Sequence, residues 1–362
     1  AHTMRFLEVI EAMKGHLSTL PAGEAETVFF WFDAFTVDQH VCQYVPSTDS
    51  SQMWADKFKD TICAAGSTLM VLTPWENPLV LTRLWCLWEL YCTATTGGNF
   101  CICLGPGDQA SFEQALGGAG GTAKVMRVLS SIDVSTAEIH SEWDRENIMG
   151  AIQRLEGGAE ALNEIAISKL RDWVCTKALL TVEKRLASAY EDKLALESSQ
   201  LEAHDEGQVI SMDSAEGLAR IESVARWLHI KGEVALVMLE LGKAESVEKL
   251  FRENVSAYVR VTSAEHEATL GAANNLALAL LKQDKLQEAV PLLESAYQGF
   301  LKLRGEHHPD TIRQLNALAV AWEDQGKIQE AATLLQHALA GLRNVQAGRA
   351  GCRASLEPGP EP

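Results

Sequence analysis

Long apolar runs are missing from this 362-residue sequence. None approaches the roughly 20 residues that cross a bilayer, so no membrane span is expected. The opening AHTMRFLEVIEAM sets acidic residues inside its apolar pattern and does not read as a signal peptide. Positive charge is short as well: 31 Lys and Arg against 49 Asp and Glu leave a net charge of −18. Nucleic acid and anionic membrane surfaces repel such a protein, and neither is expected as a partner. Cysteine is sparse, eight in all, and Cys63, Cys86, Cys92, Cys101, Cys103 and Cys175 lie inside apolar strings. That density argues against a disulfide scaffold and fits reduced thiols in a cytoplasmic protein. No C-x-x-C or H-x-x-x-H pair occurs, so no metal site is expected. No serine or cysteine nucleophile sits in a recognisable catalytic string, and no N-terminal heptad coiled coil is visible.

What the sequence does contain is repetition. TLGAANNLALALLKQDKLQEAVPLLESA, from Thr269, is followed 42 residues later by TIRQLNALAVAWEDQGKIQEAATLLQHA, from Thr311. Asn274 matches Asn316, Leu276 matches Leu318, Ala277 matches Ala319, Gln283 matches Gln325 and Lys285 matches Lys327. The same step backwards pairs Ala277 with Ala235, Lys285 with Lys243 and Asp284 with Gly242. Apolar and small residues at Ala273, Leu276, Ala277 and Leu280, then at Ala289, Leu292, Leu293 and Ala296, follow helical spacing. KQDK and DQGK break the first helix of each unit from the second. Each unit is therefore a helix–turn–helix that buries its apolar face on its neighbours, which is a solenoid. His308 recurs as His266 and is expected to mark the turn between repeats.

These strings, with HHPDT before the second copy, resemble the tetratricopeptide repeat (TPR) in its kinesin light chain variety, over roughly residues 222–343. The period exceeds the ordinary repeat of about 34 residues. The resemblance implies an all-α TPR solenoid whose concave face binds a peptide or protein. In kinesin light chains the asparagine of this position faces the groove and bonds the backbone of an extended peptide. That role carries over to Asn274 and Asn316, because an amide donates and accepts at once. Helical spacing adds Arg313 and Val320 to the same wall, which suits a peptide with an acidic residue. Gly232 takes the position in the first unit, so two rungs are expected. The alternative is that both amides only cap or bridge helices.

The N-terminal half reads differently. TVFFWFDAF (Thr27–Phe35), STLMVLT (Ser67–Thr73) and FCICL (Phe100–Leu104) read as buried strands. Helical patterns cover Met53–Ala65 and Leu79–Thr95. Alternating strands and helices imply an α/β fold with a parallel sheet and helices on both faces. Ligands of such sheets bind beyond the carboxyl ends of the strands. Here those ends lead into residues 33–40, 74–83 and 105–109.

LTRLWCLWELYC (Leu81–Cys92), with FWFDAF upstream and MVLTPWENP before it, resembles the Toll/interleukin-1 receptor (TIR) domain, a flavodoxin-like fold. Its W-C-x-x-E pattern is here Trp85, Cys86 and Glu89. In TIR domains that cleave NAD this glutamate is catalytic, and the resemblance implies that role for Glu89. Asp33, Trp75 and Arg83 are the accompanying candidates for holding the nucleotide, and TIR-like self-association is a further implication. The alternative for Glu89 is a favourable acid near a helix N-terminus, beside a Trp-Cys-Leu core stripe. The chain opens on a helical pattern, Met4–Leu17, so FFWFDAF is expected as the second strand and the first as missing. The chain then reads as a fragment with half a nucleotide site.

Weaker signals remain. GPGDQA (Gly105–Ala110) is read as a strand-to-helix turn and GGAGGTAK (Gly117–Lys124) as a flexible loop. WDRENIMGAIQRL (Trp143–Leu155) and residues 159–190 read as helices, and ESSQLEAHDEGQ (Glu197–Gln208) as a linker. The closing AGRAGCRASLEPGPEP lacks periodicity and is expected to be disordered. The expected organisation is a TIR-like domain over 1–135, a helical connector over 136–212, about three repeats over 213–345, and a tail over 346–362. The expected function is a protein–protein interaction scaffold that needs no cofactor. The alternatives are an NAD-consuming hydrolase with the repeats as sensor, and a kinesin-light-chain-like cargo adaptor.

Overall fold

In the computed structural model the chain divides into two compact units, Ala1–Val174 and Cys175–Pro362. The structure describes residues 6–21, 51–105, 107–129, 132–139, 141–205 and 215–336, with a few isolated positions besides. The expected strand over Thr27–Phe35 and the closing tail lie outside the described residues.

The first unit begins with α1 (Phe6–Leu17) and α2 (Ser51–Ala65). A parallel pair follows, β1 (Ser67–Leu72) and β2 (Asn99–Leu104), in register from Ser67 opposite Asn99 to Leu72 opposite Leu104. Parallel neighbours need a crossover, and α3 (Leu84–Thr95) supplies it after a short 3₁₀ turn at Leu79–Thr82. Two of the three expected strands thus form as read. The sequence pattern of α3 is apolar all round, and such a helix is buried: Leu84, Leu87 and Leu90 are inaccessible to solvent. Thr93 on α3 meets Thr68 on β1 through their hydroxyls, 2.6 Å apart. Continuous apolar strands predicted cover on both faces. Instead Met70 and Leu72 of β1 are buried, while β2 is only half-buried beyond Asn99.

Beyond β2, GPGDQA turns into α4 (Asp108–Leu116), as expected. Gly117–Gly120 turns, but Gly121 already opens α5 (Gly121–Leu129), which corrects the reading of Gly117–Lys124 as one loop. Burial of Thr122 and Val125 stabilises that helix against its glycine-rich start. Next come a 3₁₀ turn at Val134–Thr136, α6 (Glu142–Gln153) and the 48-residue α7 (Gly158–Asp205). Phe112 of α4 lies edge-on to Trp75 at 5.4 Å and against Trp173 of α7 at 6.2 Å. The Trp173 indole donates to the Ile102 carbonyl of β2 at 3.1 Å. α7 also overrides the expected linker at Glu197–Gln208, because the helix continues to Asp205. That stretch is polar but has no glycine before Gly207 and no proline, so nothing in it breaks a helix.

The second unit holds the repeats. First helices are α8 (Ala215–Glu240), α10 (Glu267–Leu281) and α12 (Pro309–Asp324). Second helices are α9 (Ala244–Val261), α11 (Leu286–Arg304) and α13, described over 328–336. His266 and His308 are N-caps: each ring Nδ1 accepts from a backbone N–H two residues on, at 3.2 Å. Ala277, Ala289, Ala296 and Ala319 are fully buried, so helices meet at near-backbone distance. A side chain at Gly299 would strike Leu270 at 2.3 Å, which marks the same closeness between α10 and α11.

The turns within the units also keep step. Gly242, Asp284 and Gly326, 42 residues apart, all have positive φ, at 80°, 59° and 78°. Only Asp284 carries a Cβ in that left-handed conformation. In this unit Gln283 and Lys285 both reach back to Glu248 on α9, at 3.0 and 2.7 Å. Arg252 bonds the same carboxylate at 2.8 Å and Glu288 of α11 at 2.6 Å. One unit later, Val290 stands where Glu248 stood, and Lys327 lies over the Trp322 ring instead, 5.8 Å from its centroid.

Two outcomes follow from this stacking. Asp284→Gly should raise the unfolding free energy by about 1 kcal/mol, since it removes a side chain from left-handed backbone; an unchanged or lower melting temperature refutes the strain. Lys285 first, then Arg252, lower the pKa of Glu248 from its ordinary 4.5 to about 2. A carboxylate with a depressed folded pKa contributes stability above its unfolded pKa, and loses it as pH falls toward the folded one. The melting temperature should therefore fall between pH 4.5 and about 2, and fall less in Glu248→Gln.

Candidate functional site

On each first helix of the repeats, some residues face the stack and others do not. Thr311, Ile312, Leu315, Leu318 and Ala319 of α12 are buried, and their partners one step earlier on α10 are buried or half-buried. Arg313, Ala317 and Val320 occupy the opposite stripe at helical spacing, with side chains half to fully exposed. Val320 is 51% exposed. The 42-residue step carries this stripe to Gly271, Asn275 and Leu278 on α10, and to His229, Glu233 and Leu236 on α8. Every one of these is half-buried or exposed. The result is an apolar row, Leu236–Leu278–Val320, flanked by polar groups. Sequence reasoning missed Asn275, Leu278 and Leu236, although stepping back from Val320 finds them.

The structure brings Arg313 and Val320 to this stripe. The Arg313 guanidinium is held by Asp310 at 2.9 Å, so it is not an unshared cation. His229 and Glu233 pair at 3.5 Å, and bonding to Glu233 holds the imidazole pKa above its ordinary value. The two asparagines part company. Asn316 is exposed, whereas Asn274 is 8% exposed and its Oδ1 is shielded, with no donor among the described residues. Position explains the difference, because it lies on the side turned to the next unit. Leu293 on α11 is likewise inaccessible, while Leu335, its equivalent on α13, is 37% exposed. α12 follows α10 in the stack; no described element follows α12 and α13 in the same way.

The candidates of the first unit sit in different surroundings. Trp75 is buried, and its indole donates to Ser111 at 2.8 Å. Asp33 lies outside the described residues. Arg83 is exposed at the start of α3, and Glu89 is half-buried in the middle of that helix. Both flank Cys86, whose thiol is pushed up to about 12 by burial and then by Glu89, against a smaller opposing effect of Arg83. Burial also pushes Cys92 up to about 12. Neither thiol is a nucleophile at neutral pH. A small apolar space lies among Leu72, Trp75, Phe112 and Trp173, with room for about one water. Among the described residues no group of three His, Cys, Asp or Glu side chains could hold a metal, and no helix is long and apolar enough to cross a membrane.

Comparison with known proteins bears on the repeats alone. Residues 268–344 match the family described as Tetratricopeptide repeat. No curated protein matches the chain. Two crystal structures of a Podospora anserina protein, described as kinesin light chain nearly identical TPR-like repeats, are similar at 16% and 17% identity. Each covers 66% of this chain and 95% of its own, with TM-scores of 0.34 and 0.33. BtubC (BKLC) from P. vanneervenii is similar at 15% identity, over 87% of this chain and 96% of its own, with a TM-score of 0.31. The family match, the 42-residue step and the paired helices together identify residues 268–344 as tetratricopeptide repeats.

Proposed function

We propose that the repeats bind an extended segment of another protein along the first helices α8, α10 and α12, and that the chain serves as an interaction scaffold. The observation that carries this reading is the row Leu236–Leu278–Val320, half-buried at its first two members and exposed at Val320. A leucine or valine stands at one repeat position in three successive units, each with side-chain surface that the stack leaves uncovered. A partner that covers the row gains part of the about 1.5–3 kcal/mol that full burial of such a side chain is worth. Asn275 and Asn316 supply amides beside the row, able to meet both a peptide N–H and a carbonyl. Asp310 already neutralises Arg313, so recognition rests on apolar cover and amide bonding more than on an acidic ligand residue. Kinesin-light-chain-like cargo adaptation is one form such a scaffold takes.

A second reading rests on the parallel strand–helix–strand unit with Glu89 on its helix. It is NAD cleavage by a TIR-like signalling domain with the repeats as sensor. A glutamate at such a site would stabilise the oxocarbenium-like centre as nicotinamide leaves. This reading requires nicotinamide release by the intact chain and its loss in Glu89→Ala; a wild-type chain that releases none sets it aside.

For the scaffold reading, a random peptide library panned against the intact chain should yield binders. Val320→Asp should weaken them tenfold or more, about 1.4 kcal/mol, at unchanged melting temperature. Replacing Asn275 and Asn316 together by alanine should cost about 1–3 kcal/mol of binding. Binders indifferent to Val320→Asp, or a library that yields none, would show that the row is not the docking surface.

A further inference from the structure

Gly232, Asn274 and Asn316 share one repeat position, and only the first lacks an amide. Asn254, Ala296 and Ala338 share another, in the reverse order: an amide in the first unit, alanine in the next two. The structure sets these two positions against each other. A Cβ placed on Gly232 would lie 3.2 Å from Nδ2 of Asn254. Asn254 is 2% exposed and reaches from α9 to α8, where its Nδ2 donates to the Leu228 carbonyl at 3.1 Å. Its Oδ1 is shielded and meets no donor among the described residues, the same condition as Oδ1 of Asn274. One step on, Ala296 is fully buried and leaves the room that Asn254 takes in the first unit.

We propose that Asn254 is the amide of the first unit. The row has three members, not two, and its first is supplied by the second helix instead of the first. Gly232 is glycine because Asn254 fills the space that a side chain there would need. Asn275 of α10 leans into the same notch, its Nδ2 3.9 Å from that Cβ point, where the next junction has only Ala317. Asn254 is a positioning residue: buried as it is, it touches no ligand, but it fixes α9 on α8 and backs the half-exposed Asn275. A plain helix-to-helix tether would involve no exchange with position 232. The two cases differ in what happens when the amide is moved.

The test reads melting temperature on the intact chain and leaves the peptide-binding reading standing whichever way it falls. Gly232→Ala in the wild type should lower the melting temperature, because the new methyl crowds Nδ2. In an Asn254→Ala background the same substitution should raise it, because alanine favours helix over glycine once the contact is gone. Asn254→Ser, smaller but still polar, provides a second background with the same expected sign should Asn254→Ala fold poorly. Moving the amide, as Gly232→Asn with Asn254→Ala, should recover at least half of the loss caused by Asn254→Ala alone. A Gly232→Ala effect of equal size and sign in every background, or no recovery from the moved amide, overturns the proposal.

Discussion

Stacking in the second unit depends on helix backbones meeting across alanine. Ala277 and Ala319 on first helices, and Ala289 and Ala296 on second helices, are fully buried and bring neighbouring axes close enough for apolar side chains between them to interlock. Overpacking such a site typically costs about 1–3 kcal/mol, so the alanines fix the spacing of everything that stands on these helices. The caps at His266 and His308 set where α10 and α12 begin, and the left-handed turns set where the first helices end. With both ends and the spacing set, an exposed stripe on one helix falls into line with the stripe on the next. A recognition surface then arises from repetition alone.

The first unit works by a different rule. Its parallel pair is short, and aromatic contacts compensate: Trp75, Phe112 and Trp173 form a chain that ends in a hydrogen bond on β2. Burial raises the thiols of Cys86 and Cys92, which makes them packing groups, while Cys63 is exposed. Trp75 is committed to Ser111 and Phe112, whereas Arg83 and Glu89 bracket a thiol.

The sequence revealed most where geometry repeats. Period, caps, turns and two of the expected strands could be read because each is a local pattern carried by neighbours in the chain. Burial of β1 on alternate residues could not be read, since an apolar run does not say which face is covered. The end of α7 was hidden because polar composition imitates a linker, while only glycine or proline would have stopped the helix. The differing fates of Asn274 and Asn316 were hidden for another reason. Identical residues at identical repeat positions diverge when, among the described residues, one has a unit stacked behind it and the other has none. The pairing of Asn254 with Gly232 lies across two helices and 22 residues, beyond the reach of any comparison of one helix with its copy.

Asn254, Val255 and Ser256 also spell the acceptor triplet for N-linked sugars. In the folded repeats that asparagine is sealed between α8 and α9 with its nitrogen bonded to a carbonyl, so no glycosyl-transferring enzyme can reach it. A sugar attached before folding would occupy the seam itself and hold the two helices apart. For this chain, glycan addition at that triplet and a closed first repeat exclude each other.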